Sequence, residues 1–205
     1  MSSVLALASL KGGAGKTTVG LNLAVTAQAS GIRTVVIDLD PQQASAKWGD
    51  LRRLTHNGPP VISSMAVRLP QALEEAKSRG ADLVVIDTAA HAEGILAWAI
   101  DTADLVLVPC RPSVMDLQHL SATMQLVTTR KKPAAVVLNA VLPRTAECTQ
   151  AQGALSDMGI NVVPVIVSNL VAYGRAINIG QGVAEYEPDG KASEEMRALL
   201  AELTE

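Results

Sequence analysis

The stretch Ser9-Leu10-Lys11-Gly12-Gly13-Ala14-Gly15-Lys16-Thr17-Thr18, directly after the apolar run Val4-Leu5-Ala6-Leu7-Ala8, constrains the fold more than any other part of the chain. A buried strand that ends in a glycine-rich turn and opens a helix aims backbone N–H groups, and the positive end of a helix dipole, at one point in space. Such a loop is built for phosphate oxygens. Lys16 would reach the β and γ phosphates of a triphosphate, and Thr17 would hold Mg²⁺. The plain G-x-x-x-x-G-K-[ST] pattern is not met, because Leu10 stands at the first glycine position; a second lysine, Lys11, appears instead.

Further apolar runs recur at Thr34 to Ile37, Leu83 to Ile86, Leu105 to Val108, Ala134 to Leu138 and Val162 to Ile166. None alternates polar with apolar, so each reads as a strand buried on both faces, as in a parallel sheet covered by helices. With the run before the glycine loop, six strands are expected. Helical spacing lies between them: Leu117, Leu120, Met124 and Val127 form the clearest apolar face, and Leu69, Leu73 and Ala76 a weaker one. A last helix over 192–203 would bury Met196, Leu199, Leu200 and Leu203 and show Glu194, Glu195 and Glu202 to water. Trp48 and Trp98 fall in helical segments, where packing is the expected role. Strand and helix alternate throughout, which predicts a doubly wound α/β fold. The 205 residues suit a single domain, 1–205, and Asn57-Gly58-Pro59-Pro60 reads as a loop, not a linker.

In an open parallel sheet, ligands bind outside the carboxyl ends of the strands. Here the strands end in the glycine loop, in Asp38-Leu39-Asp40-Pro41-Gln42, in Asp87-Thr88, in Pro109 and in Asn139. Three carboxylates are therefore expected beside the phosphate cradle. Asp87 follows Leu83-Val84-Val85-Ile86 as a Walker B aspartate would and is a candidate for Mg²⁺, directly or through water.

Lys11 together with Lys16, in the K-G-G-x-G-K-[ST]-T form, makes a deviant Walker A motif. With the D-x-D-P-Q segment, the chain resembles the ParA/MinD family of dimeric P-loop ATPases. The resemblance reaches almost the whole chain, through Ala103-Asp104-Leu105-Val106-Leu107-Val108-Pro109, Pro112-Ser113, Asp116-Leu117 and Ala184-Glu185-Tyr186-Glu187-Pro188. It implies ATP and Mg²⁺ as ligands, with Lys11, Gly12, Gly13, Ala14, Gly15, Lys16, Thr17 and Thr18 around the phosphates. It also implies that Asp40 positions the attacking water, that Asp38 supports the magnesium shell with Thr17 and Asp87, and that Asn139 sits near adenine, a turn role being its alternative. Lys11 would reach across a two-fold axis to the partner's nucleotide, so that ATP controls a homodimer. Members of this family bind DNA non-specifically and answer to a ParB-like or other cargo adaptor protein. Arg144 and Arg175 are the candidates for DNA contact, with surface ion pairing as the alternative reading.

Two departures stand out. Ala89 and Ala90 replace a proline-containing turn after the Walker B aspartate, and Ser168-Asn169 replace a common Pro-Arg pair. The loop begins at residue 9, so the expected form is a small one without an N-terminal helix-turn-helix domain. The net charge of −3 offers no global attraction to nucleic acid or anionic lipid, so any basic site must be local. Arg130-Lys131-Lys132 is the densest basic run, but it closes a helix before a strand and therefore belongs at the sheet edge away from the phosphates. A MinD-like membrane-associated ATPase is the rival function. It would need a basic amphipathic helix near the C-terminus, where this chain is acidic and Arg197 is the only basic residue after Lys191. Cys110 and Cys148 lack C-x-x-C spacing and read as reduced thiols, not as iron–sulfur or zinc ligands. The expected location is cytoplasmic, on the nucleoid when ATP is bound.

Overall fold

A computed structural model describes residues 2–90, 92–142 and 145–204. Its centre is a seven-stranded sheet: β1 (Ser3–Leu7), β2 (Thr34–Asp38), β3 (Val61–Ser63), β4 (Leu83–Asp87), β5 (Leu105–Cys110), β6 (Ala134–Val141) and β7 (Val162–Ser168). The spatial order is β3-β2-β4-β1-β5-β6-β7, and every neighbouring pair is parallel. The doubly wound α/β fold expected from the sequence is the fold observed.

Strand side chains alternate between two cores, which is why the runs are apolar without a break. Val4, Ala6 and Ala8 face one core, while Leu5 and Leu7 face the other. The first core is covered by α3 (Leu69–Ser78), α4 (Glu93–Thr102), α5 (Val114–Thr129) and α6 (Ala146–Asp157). The second is covered by α1 (Lys16–Ala29), α2 (Ala44–Arg52), α7 (Val171–Asn178), the single turn α8 (Val183–Tyr186) and α9 (Lys191–Thr204). Helix α1 is buried along nearly its whole length because the sheet lies under it and α9 beside it.

Three expectations change. A seventh strand, β3, pairs Val61, Ile62 and Ser63 with Val36, Ile37 and Asp38 at the sheet edge. It is too short to carry a periodicity, and its place depends on pairing with β2 and on Val61 and Ile62 packing against the two cores. Trp98 is 47% exposed, in contrast with Trp48, which is buried in the second core; helical position alone does not say which face a tryptophan occupies. Glu195, expected in water, is only 11% exposed and turns inward. The predicted faces of α3 and α5 hold: Leu69, Leu73, Ala76, Leu120 and Val127 are buried, with Leu117 and Met124 partly so.

The basic run behaves as its position suggests. Arg130 pairs with Asp101 at 3.2 Å, and Lys132 Nζ donates to the carbonyl of Ala103 at 2.9 Å. Both contacts lie at the amino ends of β5 and β6, across the sheet from the glycine loop. Among the described residues no helix is long and apolar enough to cross a membrane.

Candidate functional site

β1 is central, so its loop opens at the middle of the carboxyl edge with β4 on one side and β5 on the other. Gly13 (φ 74°) and Gly15 (φ 100°) adopt left-handed backbone that a side chain would strain, and Gly15 lies so close to Asn139 that a Cβ there would overlap its Nδ2. Helix α1 begins at Lys16, and its first main-chain bond runs from Val19 N–H to the Gly15 carbonyl at 2.9 Å. The remaining N–H groups of its first turn lack helical acceptors, which is the property that suits an anion.

Lys16 is buried and donates from Nζ to the Ser9 carbonyl at 3.2 Å. Burial lowers its pKa, against the pull of Asp87 and Asp40. Asp87, at the end of β4, is 1% exposed. Thr17 Oγ1 donates to its Oδ2 at 2.8 Å and Ser45 Oγ, from α2, donates to the same oxygen at 2.7 Å. Its Oδ1 is buried with no hydrogen-bond partner among the described residues. Burial pushes the Asp87 carboxyl up to about 6, even with two hydroxyls holding its charged form.

An orphaned carboxylate oxygen beside a threonine hydroxyl at a phosphate loop is a donor set that fits Mg²⁺, which takes hard oxygen ligands in octahedral geometry. Among the described residues, no three His, Cys, Asp or Glu side chains gather into a cage of their own. The fit therefore requires phosphate and water oxygens as well, as is usual for Mg²⁺ at nucleotides.

Asp38 stands in register with Asp87 on the neighbouring strand. Its Oδ1 accepts the Asp40 N–H at 2.9 Å and its Oδ2 accepts the Ala46 N–H at 2.8 Å, so both oxygens fasten the segment that leads into α2. Burial raises its pKa, and these main-chain bonds oppose the rise. Asp40 is left half-buried, with Oδ1 accepting the Gln42 N–H at 2.8 Å, on the rim of an open groove of about 930 Å³. Ile62, Met65, Val67 and Trp98 also line that groove.

Lys11 is engaged by α5. Its Nζ lies 2.6 Å from Asp116 Oδ2 on α5, and Asp116, 6% exposed, also receives the hydroxyl of the helix-capping Ser113. Asn139 Nδ2 donates to the Ala14 carbonyl at 2.7 Å. A register shift in the β6–β7 ladder follows Asn139, and Ala140 is left-handed (φ 52°), which turns the strand end toward the loop. A second opening of about 410 Å³ is lined by Gly15, Thr18, Asn139, Ser168 and Asn169. Arg111 and Arg175 line the same opening, so Arg175 faces the mouth of this pocket, while Arg144 lies outside the described residues. Burial pushes the Cys110 thiol up to about 12, which leaves it protonated and inert in the core.

Sequence reasoning missed Ser45, the partner of Lys11, and the inward turn of Glu195. Asp116 had a local signal in its S-x-x-D cap, but nothing in a linear pattern joins it to a loop more than a hundred residues away.

Fold and site together define a P-loop nucleotide-binding protein with a doubled-lysine loop. The family model for the CobQ/CobB/MinD/ParA nucleotide binding domain matches residues 5–183, and the chain belongs to that family. The chain is 30% identical over 207 aligned residues to maintenance of carboxysome distribution protein A of Halothiobacillus neapolitanus, covering 97% of this chain and 95% of that protein. With the protein of the same name from Gloeobacter kilaueensis it shares 33% identity, covering 95% and 89%. Among solved structures, the septum site-determining protein MinD of Pyrococcus horikoshii, complexed with Mg-ADP, superposes with a TM-score of 0.79 at 17% identity, covering 99% of this chain and 96% of that one.

Proposed function

We propose that this chain is a Mg²⁺-dependent ATPase whose ATP-bound form dimerises, binds DNA without sequence preference and positions a cargo, with hydrolysis stimulated by a partner protein. The observation that carries the reading is the meeting of Lys16, Thr17, Asp40 and Asp87 beside an anion-ready helix terminus. The name shared by the two carboxysome-distribution relatives favours a protein body over a plasmid as the cargo.

In this reading the loop N–H groups and Lys16 neutralise the phosphates, and exchange of the Ser9 carbonyl for a phosphate oxygen gives the buried ammonium a charged partner. Thr17 and Asp87 would hold Mg²⁺, with Asp38 fixing the segment beside them; the ion supplies charge neutralisation for phosphoryl transfer. Asp40, carried on that fastened segment, orients the attacking water. The nucleobase enters the opening bounded by Asn139 and Ser168-Asn169, and Asn139 also holds the phosphate loop through Ala14. Lys11 leaves Asp116 to reach the partner's nucleotide.

The membrane alternative is weakened by α9. Its apolar residues Met196, Leu199 and Leu200 are spent in the core, and Arg197 is held by the Pro188 carbonyl and Ser193. Lys16→Ala should abolish ATP binding in titration calorimetry, and Asp40→Ala should bind ATP and accumulate dimer with turnover lowered about 100-fold. Normal affinity in the first variant, or normal turnover in the second, would refute the respective role.

A further inference from the structure

The opening of about 410 Å³ has one wall that the sheet alone does not secure. Ser168, Asn169 and Leu170 join the edge strand β7 to α7, and the β6–β7 ladder that should support them is interrupted by two register shifts. Asn169 N–H still reaches the Val141 carbonyl of β6 at 2.8 Å, and the rest of the support comes from α9. Glu195 Oε2 accepts the Ser168 N–H at 2.9 Å, and Oε1 accepts the Ser168 hydroxyl at 2.5 Å. Tyr173 of α7 donates its hydroxyl to Oε2 at 2.9 Å, with the Ala192 carbonyl also within reach at 3.2 Å. Lys191 Nζ stands 3.6 Å from Oε1.

Three donors thus converge on a carboxylate that is 11% exposed, while Ser168 and Tyr173 are buried. Hydrogen bonds to an ionised acceptor are shorter and about twice as strong as neutral ones. Ser168 gives Glu195 both of its donors, and a proline at this position would offer neither. With Ser168 so occupied, Asn169 and Leu170 line the opening together with Asn139.

We propose that Glu195 is a positioning residue for nucleobase recognition. It fixes the Ser168–Leu170 wall so that the base end of the nucleotide is gripped between that wall and Asn139, while the glycine loop holds the phosphates independently. The proposal rests on the nucleotide reading given above and goes beyond it by separating two determinants of affinity. Among the described residues no hydrogen bond or ion pair joins Glu195 to the phosphate loop, so its loss should weaken a ligand that carries a base and spare one that does not.

The test is calorimetric titration of the full chain, with Mg²⁺, by ATP, GTP and inorganic tripolyphosphate. Glu195→Ala should raise the dissociation constant for ATP about tenfold, leave that for tripolyphosphate within about twofold, and narrow the ATP-to-GTP preference. Ser168→Ala, which removes one of the bonds and leaves the carboxylate two donors, should shift the same ratio in the same direction by less. It also keeps the proposal testable if Glu195→Ala does not fold. Equal weakening of ATP and tripolyphosphate, or an unchanged ratio in both variants, overturns the proposal and leaves the nucleotide reading standing. A wild-type protein that binds neither ligand overturns the nucleotide reading itself, and this proposal with it.

Discussion

Lys11 and Lys16 share a loop and point to different fates. Lys16 is committed to the phosphate side, where burial lowers its pKa and an incoming anion would reverse the penalty. Lys11 is committed to α5 through Asp116. Because Asp116 is nearly buried and Lys11 is 28% exposed, the pair is tighter than a surface ion pair, yet it lies near enough to solvent to open. If Lys11 must leave Asp116 before it can serve a partner subunit, the ion pair is a cost of dimerisation. Asp116→Ala should therefore lower the ATP concentration needed for half-maximal dimer by about three- to tenfold, a difference of roughly 1 kcal/mol. Sedimentation velocity across an ATP series measures this, and a variant that needs more ATP would show that Asp116 supports the dimer instead.

Helix α2 shows how an element is tied down by residues remote in sequence. Arg52, buried, pairs with Glu185 through Nη2 and Oε1 at 2.6 Å, donates to the carbonyls of Gly58 and Gly180, and lies 5.1 Å from the Trp48 ring centre. The same helix carries Ser45 to Asp87 and Ala46 to Asp38, so the cluster around Arg52 steadies the aspartate segment from its far end. Burial pushes the Glu185 carboxyl up, and the Arg52 and Gly182 hydrogen bonds more than reverse it, so the net pKa lies below the ordinary value near 4.5. A carboxylate with a depressed folded pKa stabilises the protein above its unfolded value and loses that contribution as pH falls through the folded one. Glu185→Gln should cost about 1–3 kcal/mol at pH 7, and the gap from wild type should close as pH falls through the depressed carboxyl pKa. Thermal melts over that range decide it; a gap that does not change with pH would assign the loss to packing.

Elements were legible in proportion to how much of their stability is local. Both Leu69, Leu73 and Ala76 and the Leu120 to Val127 stripe announce their helices by spacing, and β4 announces itself by an unbroken apolar run. Strand β3 did not, because three residues carry no period and β2 supplies the pairing. Glu195 failed for a related reason. Helical spacing gives the side of a helix a residue occupies, but the edge of that side is decided by what packs there, here Ser168 and Tyr173.

Across the molecule, a net charge of −3 means that the DNA binding proposed above would have to rest on a local basic surface. Arg175 is exposed at the mouth of the smaller opening with Arg111, on the carboxyl edge of the sheet, whereas Arg130 and Lys132 are engaged at the opposite edge. If the ATP-bound protein holds DNA through Arg175 and Arg144, each change to alanine should flatten the slope of log affinity against log salt by about one unit, uniformly across DNA sequences. Fluorescence anisotropy with ATP at several salt concentrations gives the slope. An unchanged slope removes that arginine from the interface.

The layered α/β fold and the residue types at its strand ends were readable in the sequence, because unbroken apolar runs, glycines at strained turns and a glycine loop flanked by Lys11 and Lys16 are local facts that hold wherever the rest of the chain goes. The tertiary structure decided the partners: Asp116 for Lys11, Ser45 for Asp87, Asn139 for the phosphate loop and Ser168 for Glu195. Such pairs join residues far apart along the chain, and a hydrogen bond or ion pair depends on distances of a few ångströms that only the packed sheet and its helices fix.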